Sequence, residues 1–81
     1  MSKQNCVYIV ECNDGTLYTG WTNDIDKRIK AHNEGKGAKY TRFRNPVKLV
    51  YIENLENKSE ALIRENKIKK MTRNEKKQLI K

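Results

Sequence analysis

At 81 residues, 36% of them hydrophobic and with a mean hydropathy of −0.99, the chain is expected to be one domain of residues 1–81 with a small core, since a chain this short buries only about 60% of the surface it exposes when unfolded. Four Gly, one Pro and no apolar run longer than Cys6 to Val10 exclude a collagen-like fibre and a transmembrane helix, which takes roughly 20 apolar residues. Lys and Arg number 18 against 10 Asp and Glu, a net charge of +8, with 12 basic and 5 acidic residues in 41–81 against 6 and 5 in 1–40; a polyanion, most simply nucleic acid, is the expected partner, ahead of a merely solvated basic surface.

The chain opens on a polar stretch, Met1–Asn5, that is expected not to be a secretory signal. Asn5–Cys12 is rich in β-branched and aromatic residues and reads as a strand. Its cysteines, Cys6 and Cys12, would lie roughly 20 Å apart along that strand, beyond disulfide reach. Reduced thiols in a cytoplasmic protein are expected. Two Cys and one His also fall short of a tetrahedral zinc site. Asn13-Asp14-Gly15 signals a turn and Thr16–Trp21 a second strand, together a hairpin. A two-residue turn at Asp14-Gly15 would pair Cys12 with Leu17 and put Tyr8 and Tyr18 on opposite faces. A three-residue loop, with Gly15 in a bulge, would pair Cys12 with Thr16 and Val10 with Tyr18, placing both tyrosines on one face. Both registers fit the residues; the second is favoured because it makes a single site.

Thr22-Asn23-Asp24 starts a helix expected from Asp24 to Asn33 and ended by Gly35. Gly35–Asn45 follows as a basic loop with Tyr40 and Phe43 among its cations. Pro46 bounds a third strand, Val47–Ile52. Asn57 with Glu60 opens a helix from Lys58 to Met71, and the capping box of Thr72 with Glu75 opens a last one ending at Ile80. The predicted fold is α+β: a three-stranded, mainly antiparallel sheet flanked by helices, in the order β-β-α-β-α-α.

Polar residues stand where this helical pattern expects apolar ones. Ile25, Arg28, Ile29 and His32 follow the i, i+3, i+4, i+7 spacing of a buried stripe. The plain explanations are a snorkelling Arg28 and a hydrogen-bonded, half-buried His32. In the longer helix, Glu65 falls within the stripe of Ala61, Leu62 and Ile68. A carboxylate there is costly unless paired or bound to a metal. A Glu65–Lys69 surface pair at i, i+4 is its plain explanation. Two tyrosines, an arginine, a histidine and a carboxylate are thus able to converge. Gly35 and Gly37 match no phosphate-binding loop.

The order of Tyr8, then Tyr18-Thr19-Gly20, then Arg28 and His32, then Ala61-Leu62-Ile63-Arg64-Glu65 resembles the GIY-YIG nuclease family over nearly the whole chain. Cys6-Val7-Tyr8 stands at the first family motif and Tyr18-Thr19-Gly20 at the second. Tyr18-Thr19-Gly20-Trp21-Thr22 and Gly35-Lys36-Gly37-Ala38-Lys39-Tyr40-Thr41 resemble the small stand-alone bacterial branch. Trp21 stands where some relatives carry a lysine, and Asn74 is a loose counterpart of an asparagine that some repair members carry beyond the glutamate.

The resemblance implies a GIY-YIG-like fold and an endonuclease dependent on Mg2+ (or Mn2+) that hydrolyses phosphodiester bonds. DNA is the expected substrate, in branched, flapped or single-stranded forms met in repair or recombination, with RNA left open. By position, Glu65 would hold the metal and Arg28 the scissile phosphate, while Tyr8, Tyr18 and His32 would position or deprotonate the attacking water. One carboxylate plus phosphate oxygens suits magnesium, which keeps several waters. A phenol titrates near 10, so Arg28 and the metal would have to lower it; His32 titrates closer to neutrality. Lys36, Lys39, Arg42 and Arg44 are expected on the nucleic-acid backbone, with Tyr40 stacked on an exposed base. A monomer is expected. Two other functions fit: a nucleic-acid-binding module with little or no cleavage, and a nuclease subunit that needs a protein partner.

Overall fold

The computed structural model describes residues 4–80. Met1, Ser2 and Lys3 of the polar start, and Lys81, lie outside the described residues. Strands β1 (Cys6–Glu11) and β2 (Leu17–Thr22) precede helix α1 (Ile25–Asn33); strand β3 (Lys48–Asn54) precedes helices α2 (Lys58–Lys69) and α3 (Arg73–Ile80). The order is the predicted one, and the ends move by one or two residues. Asp24 caps α1 instead of opening it, its carboxylate accepting from the Lys27 N–H at 3.3 Å. β3 runs on to Asn54 because β1 pairs with it that far, Cys6 opposite Asn54.

The three strands are antiparallel in the order β2-β1-β3. β1 is central and covered on both faces, so Cys6 to Val10 are buried without interruption. Val7 and Ile9 point into one cluster with Ala61 and Ile68 of α2. Tyr8, Val10 and Cys12 point the other way, into a cluster with Val47 that Tyr18, Ile25 and Ile29 join. The helices therefore cover opposite faces, as the period of two along β1 requires.

The turn settles the hairpin register. The Cys12 N–H donates to the Thr16 carbonyl at 2.8 Å, and the Gly15 N–H donates to the Cys12 carbonyl at 2.9 Å. Gly15 has φ +84°, the left-handed conformation of a three-residue loop. Asp14 holds that loop by accepting from the Thr16 N–H and hydroxyl at 3.1 and 2.6 Å. Val10 faces Tyr18 and Tyr8 faces Gly20, so both tyrosines share the α1 side of the sheet.

Local signals end the helices as expected. The Lys36 N–H donates to the Ala31 carbonyl at 2.8 Å and the Gly35 N–H to that of His32 at 3.1 Å, with Gly35 at φ +77°. This is a Schellman closure. Thr72 and Glu75 form a reciprocal capping box, at 2.9 and 3.2 Å. Both cysteines are free and buried. Among the described residues, no helix is long and apolar enough to cross a membrane.

Candidate active site

The site begins at its floor. The Tyr8 hydroxyl lies 2.8 Å from His32 Nε2, and His32 Nδ1 lies 2.7 Å from Thr41 Oγ1. All three residues are buried, at 1%, 0% and 0% exposure. Thr41 Oγ1 in turn donates to the Ala38 carbonyl at 3.3 Å. With its proton used there, Thr41 accepts from Nδ1–H, which leaves Nε2 to accept from the phenol. The chain of donors thus runs from Tyr8 to His32 to Thr41 to Ala38, and His32 is neutral within it. Burial, and then the charge of Arg28, hold the His32 pKa below its ordinary value.

The same burial pushes the Tyr8 phenol well above its ordinary pKa. The neighbouring Tyr18 phenol and the Glu65 charge add to that rise, while Arg28 opposes it. Among the chain's own groups Arg28 does draw the phenol down, and desolvation outweighs that pull.

Two glycines make room for this floor. A Cβ on Gly20 would lie 2.6 Å from the Tyr8 hydroxyl oxygen and 2.8 Å from Cζ. A Cβ on Gly37 would collide with the His32 ring, 2.6 Å from Cγ. Gly20 sits inside a strand, where glycine is a sign of close approach. That signal was legible; the roles of Gly37 and Thr41, in an irregular loop, carried no periodicity to reveal them.

Tyr18 is half-buried and meets the His32 ring edge-on, centroids 5.5 Å apart. On its far side it stacks with Tyr40 at 5.7 Å and 23°. Arg44 lies over the Tyr40 ring at 4.2 Å and donates to Asp14 at 2.9 Å and to the Tyr40 carbonyl at 2.8 Å. Tyr40, expected at the nucleic acid, thus packs between Tyr18 and Arg44. Lys36, Lys39 and Arg42 line an open cleft of about 240 Å³ with Gly35 and Ala38.

Arg28 is half-buried and donates from Nη1 to the Gly37 carbonyl at 3.3 Å. Beside it is a cleft of about 220 Å³, lined also by Thr22, Asn23, Asp24, Lys27 and Ala31. Glu65 comes from α2, on the other side of the sheet, and its side chain is only 12% exposed. Lys69 Nζ lies 3.4 Å from its Oε2, the ion pair expected from spacing. The Glu65 charge nonetheless acts on Tyr8, as does that of Arg28. Contacts join Tyr8 to His32 and His32 to Tyr18, whereas Arg28 and Glu65 reach the Tyr8 phenol only through their charges. Trp21 packs in the α2-side cluster, with Lys58 Nζ 5.2 Å from its ring centre.

Among the described residues, no group of three or more His, Cys, Asp or Glu could hold a metal. A single, mostly covered carboxylate does fit a hard cation that takes its remaining ligands from water and substrate oxygens. Glu65 is the residue that would hold it.

Residues 4–78 match the GIY-YIG catalytic domain family. The UPF0213 protein CPE1444 of Clostridium perfringens is 68% identical over 76 residues, covering 94% of this chain and 82% of the relative. A UPF0213 protein of Syntrophus aciditrophicus is 62% identical over 82 residues, covering 100% of this chain and 93% of its own. The solution NMR structure of the UPF0213 protein BH0048 from Bacillus halodurans has a TM-score of 0.61 at 49% identity, over 95% of this chain and 82% of that one.

Proposed function

The chain belongs to the GIY-YIG nuclease family, and on that premise we propose that it is an endonuclease that hydrolyses phosphodiester bonds in DNA with Mg2+ (or Mn2+). The observation that carries this reading is the Tyr8 hydroxyl set 2.8 Å from a neutral His32 Nε2, within the fields of Arg28 and Glu65. A buried imidazole kept neutral is a proton acceptor in waiting. A divalent cation held at Glu65 would neutralise charge developing on the phosphate and the leaving oxygen.

The chain's own residues do the rest. Arg28 exchanges its Gly37 carbonyl contact for the phosphate, which its planar fork suits better. Tyr8 takes a proton from the attacking water as its own passes to His32 Nε2. The phenol itself never has to exist as a free phenolate, which burial disfavours. Thr41 keeps Nδ1–H engaged, so Nε2 remains the accepting nitrogen. Tyr18, the half-exposed ring, orients the substrate above the buried pair.

Cleavage of labelled single-stranded, duplex, flapped and branched DNA, with and without Mg2+, tests the proposal. Wild type should cut only with the metal, and Glu65→Gln should bind DNA without cutting it. Equal cutting by both would sink the mechanism. The Glu65–Lys69 ion pair favours a second reading, a binding module whose carboxylate serves only the fold. That reading expects DNA binding by both proteins, cleavage by neither, and a clear loss of stability in Glu65→Gln.

A further inference from the structure

We propose that Phe43 is a stacking platform for an unpaired nucleobase, whose flanking phosphates lie against Lys36, Lys39 and Arg42. The proposal rests on the nucleic-acid reading above and adds to it the form of strand the surface prefers. Phe43 is 88% exposed, the most open of the large hydrophobic side chains. A single exposed apolar residue is ordinary; its surroundings are what give it meaning. The Arg42 guanidinium lies 5.3 Å from its ring centre. Arg42 also lines the cleft of about 240 Å³ that Lys36 and Lys39 share, a lining with three cations and no acid. Neither lysine forms an ion pair with a described residue.

The loop carries two aromatic rings, and packing divides their labour. Tyr40 is stacked on Tyr18 and covered by Arg44, and Arg44 is tied to Asp14. Phe43 is left with an open ring beside uncompensated charge. Cations that track a backbone and an aromatic face for a base are the two parts of a single-strand site. A base inside a duplex has both faces covered by its neighbours, so the ring gains nothing from the paired interior of a duplex. An acidic peptide would engage the cations and leave the ring unused.

The probe is a short oligothymidylate carrying one 2-aminopurine, compared with a blunt duplex, both without divalent metal so that nothing turns over. Affinity is read by anisotropy and stacking by quenching of the 2-aminopurine. Phe43→Ala should weaken single-strand binding about fivefold or more and abolish the quench, within the range that base stacking on an aromatic ring spans. Duplex affinity should stay within about twofold, because phosphate contacts are untouched. Phe43→Trp should keep the quench, and Phe43→Leu should behave like alanine. The proposal is overturned if Phe43→Ala quenches and binds like wild type, if both DNA forms weaken equally, or if leucine serves as well as phenylalanine. Wild type that binds neither DNA removes the nucleic-acid reading and this site with it. Wild type that binds both, with no effect at Phe43, removes this site alone.

Discussion

The Tyr8 hydroxyl and His32 Nε2 meet at 2.8 Å across 24 residues of chain, with both side chains buried. Burial favours the neutral form of each: it raises the phenol and lowers the imidazole. The pair is therefore at rest as phenol and imidazole. A proton moves between them only when another group, such as a water beside a bound phosphate, replaces the one that Tyr8 gives up.

Thr41 decides which nitrogen of His32 is free. Thr41→Val keeps the shape but leaves Nδ1–H buried without its 2.7 Å acceptor. A cost of about 1–3 kcal/mol in urea unfolding is expected. Nitrogen-15 NMR of the imidazole should show the Nδ1–H tautomer in wild type. Finding Nε2–H there would contradict the proton order drawn from Thr41 and Ala38.

Gly20 and Gly37 separate by a thermodynamic cycle. Gly20→Ala drives a methyl into the Tyr8 hydroxyl and Cζ, at 2.6 and 2.8 Å. Overpacking of this kind costs about 1–3 kcal/mol. Tyr8→Phe removes the nearer atom, so the double variant should lose less than the sum, by about 0.5 kcal/mol or more. Gly37→Ala presses on His32 instead; Tyr8→Phe removes no atom from its path, so steric relief should be absent and any coupling should come from the lost Tyr8–His32 hydrogen bond.

Acid should weaken the fold before the carboxylates protonate. The His32 pKa is lower folded than unfolded, so the unfolded chain takes up a proton that the folded chain refuses. Stability from this source is complete above about 6.5 and falls as the pH drops from there, by at most about 1.4 kcal/mol per unit. The Asp14 carboxyl, held down to about 2 chiefly by its Thr16 hydrogen bonds, acts only at lower pH. Urea midpoints between pH 7 and 5 should slope downward in wild type and flatten in His32→Gln. At the alkaline end the raised Tyr8 phenol has the opposite sign, with stability lost as the pH climbs past about 10.

Thr19 runs against the usual direction of mutation. Its Oγ1 is buried and finds no hydrogen-bond partner among the described residues. Thr19→Val removes that unpaired hydroxyl and should stabilise the protein by about 1 kcal/mol. A drop in the unfolding midpoint would mean the hydroxyl is satisfied after all.

Short-range bonds made the fold readable before any coordinates. Gly35 closing α1, Thr72 and Glu75 opening α3, and Asn13-Asp14-Gly15 turning the hairpin each depend on partners within five residues of one another. The β-branched and aromatic run of β1 announced a strand, and polarity within apolar stripes singled out Arg28, His32 and Glu65 as candidates. The hairpin register was narrowed to two choices; Gly15 at φ +84° and the Cys12–Thr16 bond selected one. What residues bonded to distant parts of the chain could not announce was how they would be used. Tyr40 and Phe43 look alike as aromatics in a basic loop, yet one is stacked on Tyr18 and the other is left in solvent. Thr41 became the partner of His32, and Gly37 the space for its ring, only after the loop folded back over α1. Capping and turn preferences are properties of neighbouring residues, whereas desolvation, ring packing and the sign of a pKa shift depend on what the rest of the chain brings alongside.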